Sequence, residues 1–409
     1  MNILLCPMSD PGYLYPALAA GVELRRRGND VCVLGRSAAA AVAAQAGLPF
    51  TAAEDYGGRT GFSVIRWAAT GLAQFRATLR AAAQARPDVL VTSVLSNGTL
   101  LAGEVLDIPV VVLGLSVHLW DYWSGGDGEP QLGRPRDNRT RECVRHYNEL
   151  RERAGLAPRH DPWPQNPLLG AALLLRGDPV FEYPGAVLPE RVHHVGPLAW
   201  EPPAGQDELD EIGAHLDRTG KPVVYVHLGR FFGGTTQWPR LNAAFTAGPF
   251  QAVVEQGRST DPQPAPGTDI LLVRKPWMGP LIDLAGLVLS SGTSAPVLAA
   301  LLRGRPLGVS PNGSEQPVLA AACVRAGAAR YVPDDVSGDC RGVLRSVWAD
   351  RGLRDRARAL GGRLAAADGA RRAADLIERA VTGRGSGDRY AAHGQGAADG
   401  TRRTFSEPA

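Results

Sequence analysis

The feature that most constrains this chain is a repeated alternation between short, unbroken apolar runs and longer amphipathic stretches. The first run, residues 3–6, leads into a turn at 9–12 and then into a stretch with one apolar and one charged side. Apolar runs without alternation are typical of strands buried on both faces of a parallel sheet. The order of strand and helix repeats through residues 31–34, 72–91 and 100–115. The pattern predicts α/β architecture with parallel sheets covered by helices.

The rhythm stops in the middle of the chain and then restarts, which predicts two domains. It weakens over residues 134–167, and a proline-rich stretch at 197–205 precedes an acidic run and a new apolar run at 223–228. Two such domains leave a cleft where the carboxyl ends of the strands face each other. We predict an N-terminal acceptor-side domain, a linker, a C-terminal domain whose last helices can pack back on the first, and a disordered tail, over 1–198, 199–206, 207–381 and 382–409, respectively.

Composition excludes several classes of function. In 409 residues, 44 Lys and Arg nearly balance 41 Asp and Glu, and no long basic block favours a nucleic-acid partner. The five cysteines are scattered without CxxC or Cys/His spacing, so no metal site is expected. No leader pattern and no apolar stretch of membrane length stand out. We therefore expect a cytoplasmic protein, monomeric or homodimeric, that binds small molecules and not a membrane.

The common nucleotide and hydrolase motifs are missing. A dinucleotide-binding loop would place G-x-G-x-x-G after the first strand, yet only Gly12 lies in that turn. The chain also has neither the G-x-x-x-x-G-K-[ST] phosphate loop nor the G-x-S-x-G nucleophile turn. Dinucleotide-dependent redox chemistry, nucleotide hydrolysis and ester hydrolysis are therefore disfavoured.

The most informative segment is a small-residue turn between a strand and a helix in the second half. The strand ending near Ser290 runs into Gly292, Thr293 and Ser294, and a helix follows to about residue 302. A helix N-terminus presents free N–H groups and the positive end of its dipole. Gly292 allows close approach of the backbone, and the two hydroxyls can add donors. The turn predicts a phosphate site.

Around this turn the sequence resembles family 1 glycosyltransferases of the GT-B fold, particularly bacterial enzymes that modify antibiotics and other natural products. The resemblance spans most of residues 1–380. That family carries His-Gly-Gly-x-Gly-Thr, a helix, Gly-x-Pro, a proline and Asp-Gln or Glu-Gln in its second domain, and Gly-His-x-x-Pro near its start. The matching positions are Gly292, Gly304, Pro306, Pro311, Glu315 and Gln316, with the segment from Gly12 through Tyr13 to Pro16 at the start.

The resemblance implies two Rossmann-like domains facing across a cleft. It implies inverting, metal-independent transfer of a sugar from a UDP- or dTDP-linked donor to a small natural-product acceptor, with no cofactor. The donor would bind the second domain, where Glu315 and Gln316 carry groups suited to sugar hydroxyls. Gly12 and Tyr13 would lie on the acceptor side.

Two departures from the family pattern affect the chemistry. Ser291 replaces the phosphate-binding histidine, and Arg230 is a candidate replacement cation because a guanidinium binds phosphate in a fork. Tyr13 replaces the histidine that acts as general base, and a neutral phenol is a poor base. Three explanations stay open: Asp10 is the base, His118 with Asp121 forms an imidazole–carboxylate pair, or the acceptor needs little help.

Aromatic residues supply further candidates. Trp277 lies where the family binds the donor base and can stack on it, although plain packing is an equal alternative. Trp120, Tyr122 and Trp123 form a dense aromatic loop that can wall the acceptor site or pack on itself.

Two rival functions follow from the same residues. A non-catalytic helper of a partner glycosyltransferase is favoured by the loss of both histidines, and a GT-B sugar-nucleotide epimerase would need a further carboxylate set.

Overall fold

The computed structural model describes residues 1–53, 64–131, 135–160, 166–227, 237–255, 264–334 and 338–382. Within these ranges the first sheet has seven parallel strands in the order β3-β2-β1-β4-β5-β6-β7. Their bounds are β1 (Asn2–Cys6), β2 (Asp30–Gly35), β3 (Phe50–Ala52), β4 (Val89–Ser93), β5 (Val110–Leu113), β6 (Ala172–Leu175) and β7 (Val192–His194). Strand order reverses between β1 and β4, which opens a ligand-binding crevice at their carboxyl ends.

The second sheet, within the same described ranges, has six parallel strands in the order β10-β9-β8-β11-β12-β13. They are β8 (Val223–His227), β9 (Gln251–Glu255), β10 (Ile270–Val273), β11 (Leu287–Ser290), β12 (Leu307–Val309) and β13 (Ala329–Tyr331). Ser290 at the end of β11 lies beside His227 at the end of β8. The reversal between β8 and β11 therefore places the second crevice at the turn that the sequence indicated.

Helices connect the strands as the apolar rhythm predicts, so the predicted α/β class with two parallel sheets is confirmed. The helices are α1 (Pro11–Arg26), α2 (Ala40–Gln45), α3 (Val64–Ala85), α4 (Asn97–Leu106), α5 (Arg136–Arg153), α6 (Gln206–Asp217), α7 (Trp238–Phe245), α8 (Met278–Asp283), α9 (Ser294–Leu302), α10 (Gln316–Arg325), α11 (Cys340–Ala349), α12 (Arg351–Ala366) and α13 (Gly369–Thr382). In the part of the chain that the structure describes, no helix is long and apolar enough to cross a membrane.

Helix α1 begins earlier than its proline suggests. Pro16 would suit a first helical turn, but α1 starts at Pro11 and Pro16 lies inside it. Proline has no N–H, so the carbonyl of Gly12, four residues earlier, loses its helical donor. The first turn of α1 therefore needs a donor from elsewhere in the fold.

Helix α13 belongs to the second half of the sequence but packs on the first sheet. Its Ala373, Ala374 and Ile377 are fully buried in the core that contains β1 and α1. Arg27 at the end of α1 pairs with Asp375 at 2.7 Å and with Glu378 at 2.9 Å. Apolar burial and ion pairs thus fasten the end of the described chain to the first domain.

Hydrogen bonds also join the two domains beside the cleft. The Ser116 N–H, just beyond β5, donates to Oγ of Ser294 at the start of α9, at 3.0 Å. Arg325 of α10 donates to the carbonyls of Phe181 and Glu182, both at 2.9 Å. These contacts fix the carboxyl end of β5 against the N-terminus of α9.

Candidate active site

A cavity of about 350 Å³ lies between the two domains. The first domain lines it with the turn after β1 and a residue after β6, and the second with the start of α9 and the loop before α10. Carboxyl ends of parallel strands converge here, the usual position of ligands in such folds. The cavity brings together seven residues predicted from the sequence: Asp10, Gly12, Tyr13, Thr293, Ser294, Glu315 and Gln316.

The turn before α9 has a backbone geometry that requires a glycine. Gly292 has a φ of +85°, and a Cβ there would lie 3.0 Å from the carbonyl oxygen of Gln316. Any larger residue would combine strain with a clash. The hydroxyls of Ser291 and Thr293 are buried and have no hydrogen-bond partner among the described residues. Two unsatisfied donors beside a helix N-terminus are typical of a site for a polar ligand.

The N–H group at the start of α9 already holds an anion from the protein. Ser294 N–H donates to Oε1 of Glu315 at 2.8 Å. Burial raises the pKa of Glu315, while the Ser294 N–H and Arg176 oppose that rise. The neighbouring Gln316 accepts from the N–H of Asn312 at 2.8 Å. A carboxylate therefore lies where the helix dipole favours negative charge.

Arg176, which directly follows β6, is the cavity residue that sequence reasoning missed most clearly. It is only 4% exposed, and its guanidinium donates from Nε to the Gly114 carbonyl at 2.9 Å and from Nη1 to the Gly12 carbonyl at 3.1 Å. The second bond supplies the donor that Pro16 cannot give. The proline inside α1 indicates in the sequence that a carbonyl lacks its helical donor. It does not indicate which distant residue donates instead.

The turn after β1 places Asp10 and Tyr13 on the same wall. Asp10 precedes α1, and its carbonyl accepts from the Tyr13 N–H at 2.9 Å. Burial raises the pKa of the Tyr13 phenol above its ordinary value, and the carboxylates of Glu315 and Asp10 raise it further against Arg176. Tyr13 is therefore protonated at neutral pH and cannot accept a proton there.

His118 lies in a different environment. It is fully buried, its main-chain N–H donates to Oε1 of Glu182 at 2.9 Å, and burial lowers the pKa of its imidazole to about 4. Its Nε2 lies 3.1 Å from the main-chain oxygen of Asp121, not from that residue's carboxylate. The structure thus does not form the imidazole–carboxylate pair, and neither residue lines the cavity.

The aromatic loop does not wall the cavity either. Trp120 is 4% exposed in the core of the first domain, and Trp123 is 55% exposed on the surface. Tyr122 donates to Oε2 of Glu182 at 3.1 Å, and the Arg136 guanidinium lies 4.0 Å from its ring centroid. Core packing therefore accounts for the position of Trp120, and a hydrogen bond with a cation–π contact accounts for that of Tyr122.

Of the two remaining donor-side candidates, one is buried and one falls outside the description. Trp277 is 6% exposed in the core of the second domain, and its neighbours Pro276 and Met278 line the cavity in its place. Arg230 lies outside the described residues.

Other cavity residues come from strand ends and the linker region. His227 ends β8, and Glu255 ends β9, where it accepts from the Tyr225 hydroxyl at 2.5 Å. Glu201 and Arg303 lie 3.8 Å apart at the edge of the cavity. The position of His227 and Glu255 at the ends of buried strands is the sequence feature that could have identified them.

Comparison with known proteins adds to this geometry. No protein-family model matches the chain. The chain is 28% identical over 321 residues to 4'-demethylrebeccamycin synthase of Lentzea aerocolonigenes, covering 72% of this chain and 74% of that protein. The glycosyltransferase of kitacinnamycin has a TM-score of 0.72 at 21% identity, covering 93% of this chain and 98% of that structure. A spinosyn rhamnosyltransferase complexed with thymidine diphosphate has a TM-score of 0.62 at 21% identity, with 90% and 96% covered.

These similarities confirm the GT-B fold and the resemblance to natural-product glycosyltransferases that the motifs indicated. They extend over both sheets, since the structural matches cover nine-tenths or more of this chain.

Proposed function

We propose that this chain is an inverting, metal-independent glycosyltransferase of the cytoplasm. It transfers a sugar from a UDP- or dTDP-linked donor to a small natural-product acceptor and needs no cofactor. The observation that carries the proposal is the cavity in which the α9 N-terminus, Glu315 and Gln316 face the turn of Asp10 and Tyr13. The similarity to 4'-demethylrebeccamycin synthase and to the solved glycosyltransferase of kitacinnamycin supports it.

The second domain is suited to the donor. The N-terminus of α9 and the unsatisfied hydroxyl of Thr293 line the cavity and can receive the diphosphate. Ser291 is fully buried and does not line the cavity. Charge builds on that diphosphate as the glycosidic bond breaks, so fixed N–H dipoles stabilise the transition state more than the ground state. Glu315 and Gln316 offer acceptors and donors to the sugar hydroxyls. The nucleotide choice is supported by the relative solved with thymidine diphosphate.

The first domain is suited to the acceptor and its proton. Tyr13 stays protonated, and His118 lies outside the cavity, so Asp10 is the candidate base that remains, with an acceptor that needs little help as the alternative. Asp10 comes from the first domain, whereas the departing diphosphate lies on the second. Attack from one side and departure on the other is the geometry of a single displacement, which inverts the anomeric centre. A positioned base contributes about 10²–10⁴ in rate.

Calorimetric titration with dTDP, UDP and GDP tests the donor site. Ala295 lines the cavity in the first turn of α9 and is half-buried. In Ala295→Glu, the new carboxylate favours the helix but repels a diphosphate, so we expect nucleotide affinity to fall by about tenfold or more. Ala295→Gln, the matched control, should stay within about threefold of wild type. Absence of nucleotide binding in the wild type would refute the proposal.

The helper function is favoured by one specific observation: the two family histidines are Tyr13 and Ser291 here, and neither side chain supplies a base or a cation at neutral pH. Turnover separates the alternatives. Release of free dTDP from a dTDP-sugar only when an acceptor is present indicates transfer, and binding without turnover indicates a helper. Turnover of the dTDP-sugar without any acceptor, with the sugar epimer as product, indicates an epimerase.

A further inference from the structure

We propose that Arg176 is the cation that binds the diphosphate of the donor, reaching it from the first domain. The inference rests on the proposed function and assigns the charge that the missing histidine at Ser291 does not supply. It makes a residue of the acceptor-side domain part of the donor site.

The guanidinium of Arg176 is held in place by two hydrogen bonds, and some of its N–H donors are not used by them. It lines the cavity at 4% exposure, held through Nε by the Gly114 carbonyl and through Nη1 by the Gly12 carbonyl. A guanidinium carries five N–H donors, and these two bonds use two of them. The two N–H groups on Nη2 have no hydrogen-bond partner among the described residues. The guanidinium is therefore fixed in place and has donors left for a ligand.

Its anchor lies against the phosphate-binding turn. The Arg176 N–H donates to the Leu115 carbonyl at 2.8 Å, and the next residue, Ser116, donates to Oγ of Ser294 at 3.0 Å. Ser294 begins α9 and also binds Glu315. A short, hydrogen-bonded path therefore joins Arg176 to the helix N-terminus, and both line the same cavity.

Arg176 also differs from the other arginine that lines the cavity. Arg303 is 2.9 Å from a carboxylate oxygen of Asp283 and 3.8 Å from one of Glu201. In the described part of the chain, Arg176 has no carboxylate within ion-pair distance, and its bonded acceptors are neutral carbonyls. Glu315 acts on Arg176 only from beyond ion-pair distance. A buried cation that no anion contacts directly is unfavourable unless a ligand supplies that contact. A diphosphate does so, and a guanidinium suits it through bidentate hydrogen bonds.

The test separates diphosphate binding from support of the Gly12 turn. In Arg176→Gln we expect dTDP affinity to fall by about tenfold or more, while thymidine affinity, from an NMR titration, changes by less than about twofold. Arg176→Lys keeps the positive charge but not the paired N–H groups of the guanidinium. Its dTDP affinity should lie between those of the wild type and Arg176→Gln. The matched control Arg358→Gln removes a 64% exposed arginine that pairs with Asp355 of the same helix, and it should bind dTDP like wild type. Equal losses for dTDP and thymidine would overturn the proposal.

A second variant makes the hydrogen bond from Arg176 to the Gly12 carbonyl unnecessary before Arg176 is changed. Pro16→Ala returns an N–H to α1 that can donate to the Gly12 carbonyl, so Arg176 is no longer needed there. If Arg176→Gln alone does not fold, the double variant Pro16→Ala with Arg176→Gln decides the matter. Selective loss of dTDP binding in the double variant, relative to Pro16→Ala, supports the proposal, and unchanged dTDP binding overturns it.

The outcomes also distinguish this inference from the function on which it rests. If the wild type binds no nucleoside diphosphate, the proposed function fails. If dTDP binds and Ala295→Glu weakens it, while Arg176→Gln does not, only the role of Arg176 fails.

Discussion

Replacing Glu315 by glutamine should strengthen the binding of a nucleoside diphosphate that carries no sugar. Oε1 of Glu315 occupies the Ser294 N–H at 2.8 Å, so its carboxylate and an incoming phosphate compete for the same end of α9. Glutamine keeps the shape and an oxygen that can accept from this N–H, but it removes the negative charge. The substitution thus separates electrostatic competition from packing.

The size of the effect follows from distance and burial. Two unit charges about 6 Å apart at an effective dielectric of about 20 interact by about 3 kcal/mol. One effect reduces this: the glutamine still competes with the phosphate for the Ser294 N–H. We therefore expect a net gain of about 1–2 kcal/mol, or roughly 5–30-fold in dTDP affinity.

The assay is calorimetric titration of the wild type and of Glu315→Gln, each with dTDP and with a dTDP-sugar, which gives the affinity for both ligands. The sugar hydroxyls should use the carboxylate, so Glu315→Gln should gain affinity for dTDP but gain less, or lose, for the dTDP-sugar. The sign of the pH effect is also fixed. Bound diphosphate raises the pKa of Glu315 further, so binding takes up protons and affinity rises as pH falls. Glu315→Gln should lose that part of the pH dependence, whereas the titration of dTDP itself is common to both proteins.

Weaker dTDP binding by Glu315→Gln, or equal proton uptake by both proteins, would refute this reasoning. Either result would mean that the carboxylate supports the site without competing for the phosphate position.

Three further predictions concern stability and the base. Burial lowers the pKa of His118 to about 4, below its ordinary value of about 6.5, so its contribution to stability is complete above pH 6.5 and is lost as pH falls towards 4, by about 2 kcal/mol at pH 5. Urea unfolding at pH 7 and pH 5 should therefore show a smaller acid loss for His118→Gln than for wild type. Ile377→Ala should cost about 2–4 kcal/mol in urea unfolding because this side chain is fully buried in α13, whereas Arg372→Ala on the exposed side should cost under about 0.5 kcal/mol. Tyr13→Phe should keep kcat within about threefold, and Asp10→Asn should lower it by about 10²–10⁴, measured as dTDP release with an active acceptor. A loss in Tyr13→Phe as large as that in Asp10→Asn would contradict the assignment of the base.

Much of the fold could be predicted because it depends on local patterns. Unbroken apolar runs indicated strands in both sheets: the run at 3–6 lies within β1, and the run that begins at residue 223 begins β8. The start of α1 shows what local patterns leave out. Pro16 lies inside the helix, and Arg176, far away in the sequence, donates to the Gly12 carbonyl in place of the missing N–H.

The site was predictable where one segment supplies the geometry and not where several must meet. Gly292 could be chosen because a strand, a small-residue turn and a helix adjoin in sequence, and its φ of +85° is a backbone conformation that favours glycine. Its part in binding phosphate stays a prediction. The predicted imidazole–carboxylate pair of His118 and Asp121 does not form. A spacing of three residues does not determine which oxygen of Asp121 faces the imidazole, and here it is the main-chain oxygen. Trp120 and Trp277 likewise have the composition of a ligand wall but are buried in the two cores.

The replacement of two histidines changes how such a site should respond to pH. A histidine that binds phosphate titrates near neutrality, and so does a histidine that acts as a base. A guanidinium stays charged even though burial lowers the pKa of Arg176, because arginine is not deprotonated in proteins. With Arg176 on the diphosphate, the cation that binds the leaving group keeps its charge between about pH 6 and pH 8. The affinity for dTDP should therefore not fall through loss of this positive charge as pH rises across this range, and a steep fall that disappears in Arg176→Gln would contradict the assignment.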